Sequence, residues 1–142
     1  MRCSGSEKDQ YGRLLARCDV AGTPINGTLV KEGLAWAFVR YSSAYAGEEA
    51  DARTRKVGVF ATQNEPPWEY RARRWESARQ GDGGAPTGEC VIKGNISRKD
   101  ERIYHMPWQL DYTRTRIDTG QGERWFCDEG EAASAGWRKA MR

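Results

Sequence analysis

Apolar and polar residues alternate from Leu15 to Val20, which predicts a strand within residues 11–20. Ala21-Gly22-Thr23-Pro24 is turn material, and Asn26 stands where an N-cap would open a short helix through Thr28, Leu29, Val30 and Leu34, with Gly33 near its end. The apolar run Ala35-Trp36-Ala37-Phe38-Val39 reads as extended chain. From Ser42 or Ser43 to Lys56 the pattern is helical, with Glu48 and Glu49 early and Arg53 and Lys56 late, the sense that the helix dipole favours. Gly58 closes that helix and lets Val59 and Phe60 return to a core.

Residues 63–89 have a different character. Pro66-Pro67 breaks helical pattern, the stretch from Glu69 to Arg79 carries four arginines, and Gln80 to Pro86 is rich in glycine. This predicts a basic, flexible tether between an ordered piece at 1–62 and a second at 90–142. In the second piece Val91–Gly94, Arg102–His105 and Arg124–Cys127 are strand candidates, and Asp128-Glu129 cap a helix running to Gly136-Trp137. The fold class expected is α+β: a partial barrel with two helices, then a small disulfide-linked α+β module.

Composition narrows the reading little. The chain has 142 residues and a mean hydropathy of −0.85, with 23 Lys plus Arg against 20 Asp plus Glu. A net charge of +3 does not by itself mark a nucleic-acid binder. No apolar run reaches the ~18 residues of a membrane span, and Met1-Arg2-Cys3-Ser4-Gly5 lacks the apolar core of a secretory signal. The four cysteines, Cys3, Cys18, Cys90 and Cys127, have no C-x-x-C spacing, and His105 lies far from each, so a zinc site is disfavoured. Two disulfides, locally Cys3–Cys18 and Cys90–Cys127, stand against reduced, partly buried thiols. The disulfides imply an oxidising compartment.

The order Asp9-Gln10-Tyr11-Gly12-Arg13-Leu14-Leu15-Ala16, then Asn26, Leu29, Val30, Gly33, Leu34 and Ala35, then Gly58-Val59-Phe60 resembles the C-terminal half of the staphylococcal (thermonuclease) nuclease family over residues 2–62. The resemblance implies half of an OB-type barrel and calcium-dependent phosphodiester hydrolysis of DNA and RNA. It places Arg13 on an arginine that grips the scissile phosphate, a task suited to a planar bidentate fork. Tyr11 falls on a phosphate-contacting tyrosine and Tyr41 near one that stacks on the base. From the residues alone, Arg13 also reads as a solvated strand arginine and Tyr11 as turn packing.

The family's other arginine, its metal-binding aspartates and its general-base glutamate belong to the barrel half that would precede Arg2. Asp9, Glu7 and Asp19 do not fall on those sites, so no metal ligand is assigned in this chain and Ca2+ is implied only for the complete domain. Without an ion and a base to activate water, one arginine does not supply the required barrier reduction. The expectation is a truncated nuclease, inactive as this chain and exported in its full-length form, with open barrel edges that invite self-association.

A second resemblance lies in Ile92–Ser97, Ile103–Pro107, Glu123–Cys127 and Glu131–Arg138, which look like the short bacterial sunset module. Its aromatics, Tyr104, Trp108, Tyr112 and Trp125, interleave with Arg102, Arg114, Arg116 and Arg124. They read as a module core more readily than as a base-stacking surface, and His105 reads as a structural, hydrogen-bonded histidine. The alternative function is a nucleic-acid-binding or envelope interaction module without catalysis, in which Arg71, Arg73 and Arg74 contact DNA or RNA phosphates.

Overall fold

Cys3 stands directly opposite Cys18 in an antiparallel strand pair, and the two are joined by a disulfide. These strands, β1 (Arg2–Ser4) and β2 (Arg17–Val20), form a three-stranded sheet with β3 (Thr23–Pro24) in the order β1-β2-β3. The β2–β3 hairpin turns through Ala21 and Gly22, both at positive φ (49° and 82°), a two-residue turn whose twist matches that of the strands. The computed structural model describes residues 1–9 and 12–141 and divides into two units, Met1–Asn64 and Glu65–Arg142.

In the first unit the strand expected over 11–20 is confined to Arg17–Val20, and Leu14 makes only an isolated bridge to Lys8. The reason is local. Gly12 N–H donates to Asp9 O and Asp9 N–H to Arg13 O, so a turn takes the backbone groups that a longer ladder would need. α1 (Ile25–Lys31) is capped at Pro24, not at Asn26. Asn26 lies inside the helix, where its side chain accepts from Cys18 N (2.8 Å) and donates to Ala16 O (3.3 Å), tying α1 to β2.

The apolar run 35–39 is not a strand; Ala37 is buried, and its N–H donates to the Glu49 carboxylate at 2.6 Å. α2 (Ala46–Arg55) ends on Lys56 in the left-handed conformation (φ 53°), two residues before the expected Gly58. Gly58 has another role. A Cβ on Gly58 would stand 2.1 Å from Gly33 O, and one on Gly33 2.3 Å from Val57 O, with both glycines at positive φ. Val59 N–H donates to Gly33 O across this backbone-to-backbone contact (2.8 Å). Phe60 then packs edge-on to Trp36 at 4.8 Å, with the Arg53 guanidinium 4.6 Å from the Phe60 ring. The unit is α+β, with an open sheet and no closed barrel among the described residues, consistent with a partial OB-like fold.

The second unit begins with the largest difference from expectation. Residues 67–79, read as tether, form α3 (Pro67–Arg79). Pro67 is tolerated because the first helical N–H has no intrahelical partner to lose. Trp75 packs against both hydrophobic clusters of the unit and Ala78 is buried, so this helix belongs to the fold.

The four-stranded sheet runs β6-β4-β5-β7, from β4 (Ile92–Ile96), β5 (Arg102–His105), β6 (Arg124–Phe126) and β7 (Arg138–Lys139), parallel only between β5 and β7. α4 (Glu129–Ser134) starts at Asp128, whose carboxylate accepts from Glu131 N (2.7 Å) as the sequence predicts. One sheet face gathers Ile92, Tyr104 and Phe126 with Ala132 and Trp137. Val91, Tyr112, Ala78 and Ala85 form a second cluster, against which Trp125 packs. Cys90–Cys127 closes the β4 and β6 ends.

Candidate functional site

The turn between β1 and β2 is built around one carboxylate. Asp9 Oδ1 accepts from the Arg13 backbone N–H at 2.9 Å, and Oδ2 accepts from Arg13 Nε at 2.6 Å and lies 2.6 Å from a terminal guanidinium nitrogen. The Asp9 side chain is largely buried (18% exposed), while that of Arg13 is 75% exposed. The aspartate therefore holds the guanidinium through Nε and one terminal nitrogen and fixes its plane, while most of the arginine side chain faces solvent. The spacing Asp9 to Arg13 was visible in the sequence, but its meaning as a clamp was not. Tyr11, the tyrosine assigned a phosphate contact by resemblance, lies outside the described residues.

Tyr41 is two-thirds exposed and lines a groove of about 460 Å3 with Tyr45, Ser4, Glu7, Arg17 and Asn26. Arg13 is not among the residues that line this groove. Arg17 and Tyr45 carried no motif signal; they reach the groove because β2 and the loop before α2 converge there.

The arginines of α3 are largely engaged within their own unit. Arg73 makes a two-pronged bond to Glu65 (3.0 and 2.8 Å), which holds the Glu65 carboxyl below its ordinary range. Arg74 reaches Pro107 O and, at 3.1 Å, Asp82. The Asp82 carboxyl is also lowered, first by the Ser77 hydroxyl and then by Gly83 N–H. Arg79 is paired with Glu89 and Glu76. Arg71 has no hydrogen-bond or ion-pair partner among the described residues. Matched acids thus offset most of the helix's positive charge, a pattern that the run of arginines concealed.

A calcium ion would need several converging oxygen ligands. Among the described residues no group of three His, Cys, Asp or Glu side chains gathers to hold a metal. Asp9, the carboxylate nearest the candidate arginine in sequence, is already bound to that arginine and to its backbone. The described residues do not fit the ion.

Residues 2–62 match the family described as "Staphylococcal nuclease homologue". Three related proteins align with part of the chain. The staphylococcal-like nuclease CAN1 of Arabidopsis thaliana is 37% identical over 67 residues, covering 45% of this chain and 21% of that protein. An uncharacterized 38.1 kDa protein of Capnoides sempervirens is 37% identical over 68 residues (46% and 20%). The SPbeta prophage-derived endonuclease YokF of Bacillus subtilis is 36% identical over 63 residues (40% and 21%). The aligned region spans about a fifth of the length of these relatives. No solved structure was found to match the chain.

Proposed function

Residues 2–62 are staphylococcal-nuclease-like, and from that premise we propose that the first unit engages the phosphodiester backbone of DNA or RNA without hydrolysing it as this 142-residue polypeptide. The observation that carries the reading is the Asp9-clamped, solvent-facing guanidinium of Arg13. A planar fork held in one orientation suits a phosphate. Hydrolysis asks for more: a cation to neutralise charge on the pentacoordinate phosphorus and a base to deprotonate water. On this reading those groups come from residues outside this segment, and Ca2+ belongs to the complete domain. Tyr41, on its groove, offers a ring for a base to stack on. The two disulfides fit an oxidising, extracytoplasmic setting.

The test is plasmid digestion and strand binding by the purified chain. Supercoiled DNA stays intact in calcium as in EDTA, while single-stranded DNA is retained at low salt and released as salt rises. Arg13→Ala weakens retention by about tenfold, the loss of one charge-assisted phosphate contact. Calcium-dependent cleavage refutes the inactivity; retention unchanged in Arg13→Ala refutes the role of the arginine.

A further inference from the structure

The two disulfides hold very different pieces of structure. Cys90 and Cys127 adjoin Val91, Ile92 and Phe126, all fully buried, so the strands they join are also held by a core. Cys3 and Cys18 join β1 to β2, and every residue of β1 is exposed. No side chain of β1 is buried, so hydrophobic packing adds little to its attachment. Apart from the disulfide, β1 and the residues after it are attached through backbone: three register pairs to β2, the Leu15 N–H to Glu7 O bond, and the close approach of Gly5 to Leu15 O. Ser4 to Glu7, from the end of β1 onward, line the same groove as Tyr41 and Tyr45.

We propose that Cys3–Cys18 is a redox latch on that groove: reduction by a dithiol frees residues 2–7 from β2 and opens the groove, while the sheet of the second unit stays closed. The chemistry is thiol–disulfide exchange. A thiolate of the reductant attacks one cysteine sulfur, expelling the other cysteine as a thiolate that takes up a proton. The reductant's second thiolate then attacks the reductant sulfur of the mixed disulfide, breaking its bond to the remaining cysteine, which leaves as a thiolate and takes up a proton. The dithiol is oxidised by two electrons to a cyclic disulfide, and Cys3 and Cys18 become two thiols. The inference stands apart from nucleic-acid binding, since its readout is conformational.

Hydrogen exchange followed by mass spectrometry on the full chain, oxidised and then reduced with dithiothreitol, tests it. Amides of residues 3–7, and of Arg17 and Asp19 in β2, exchange faster by about tenfold or more on reduction, while that of Cys18, which donates to Asn26 Oδ1, and those of α1, α2 and β4 change little. The double variant Cys3→Ser/Cys18→Ser shows the fast pattern without reductant. The variant Cys90→Ser/Cys127→Ser keeps the slow pattern at 3–7 until dithiothreitol is added; the wild-type comparison stands if this variant does not fold. Unchanged protection at 3–7 after complete reduction of Cys3–Cys18 overturns the latch. So does loss of protection throughout α1 and α2, because the bond would then staple the whole unit.

Discussion

Lys93 occupies a position that strand alternation assigns to a sheet face, yet its side chain is 1% exposed. Its ammonium donates to three backbone carbonyls, Gly83 O (2.5 Å), Tyr112 O (2.8 Å) and Thr115 O (2.7 Å), and lies 4.4 Å from the centre of the Tyr112 ring. Burial, followed by repulsion from Arg116, pushes its pKa below the ordinary lysine value. Three carbonyls around one cation mean that removing the cation orphans all three. Lys93→Met should therefore destabilise the second unit by about 3 kcal/mol, read from urea unfolding, although methionine is the more hydrophobic residue. Directly across the ladder lies His105. The Asn95 amide oxygen fixes its proton on Nε2 (2.9 Å), and Nδ1 is buried with no hydrogen-bond partner among the described residues. Desolvation lowers its pKa from 6.5; Asp111 opposes the shift, and Lys93 and Arg138 reinforce it. The unfolded chain then takes up a proton first as pH falls, so this histidine's contribution is whole above about pH 6.5 and is lost as pH drops toward the lower folded value. The slope is at most about 1.4 kcal/mol per pH unit. Subtracting the pH–stability curve of His105→Gln from that of the wild type isolates the effect, and a flat difference would refute it.

At the scale of elements, what the sequence disclosed depended on whether the signal was local. The α4 cap at Asp128 and strand β5 at Arg102–His105 lie where pattern and capping chemistry placed them. Asn26 misled because an asparagine near a helix start has two uses, and here it bonds β2, a contact between segments eight to ten residues apart. α3 was hidden by its composition: prolines that elsewhere break a helix open this one, and a mostly charged surface masks the narrow face of Trp75 and Ala78. In the candidate site, the Asp9–Arg13 pair was present in the motif, whereas the groove around Tyr41 and Arg17 arises only from folding. The helix reading and the tether reading differ in what Trp75 does. A tether residue tolerates truncation, whereas a residue packed against two hydrophobic clusters leaves a cavity. Trp75→Ala should cost the second unit about 3–5 kcal/mol in chemical denaturation, with matching loss of protection in β4.

The molecule as a whole divides its stabilising interactions unevenly between its two units. Among the described residues the buried apolar side chains of the first unit are Val30, Ala37, Ala52 and Phe60, and two of these are alanines that bury little area. The second unit buries Ile92, Tyr104, Met106, Tyr112, Phe126 and Trp137 among others, many of them large. At roughly 25 cal/mol per Å2 of apolar surface, this difference is worth several kcal/mol. Each unit has a disulfide that restricts its unfolded chain, so neither gains a clear advantage from cross-linking. Unfolding should therefore not be two-state, with the first unit melting at lower denaturant than the second. Tryptophan placement makes this measurable: Trp36 is the first unit's sole tryptophan, and Trp68, Trp75, Trp108, Trp125 and Trp137 belong to the second. Intrinsic fluorescence should follow mainly the later transition, and circular dichroism both. A Trp36→Phe variant should remove the early fluorescence change while leaving the late one in place. Coincident transitions by both probes would mean that the two units unfold as one cooperative body.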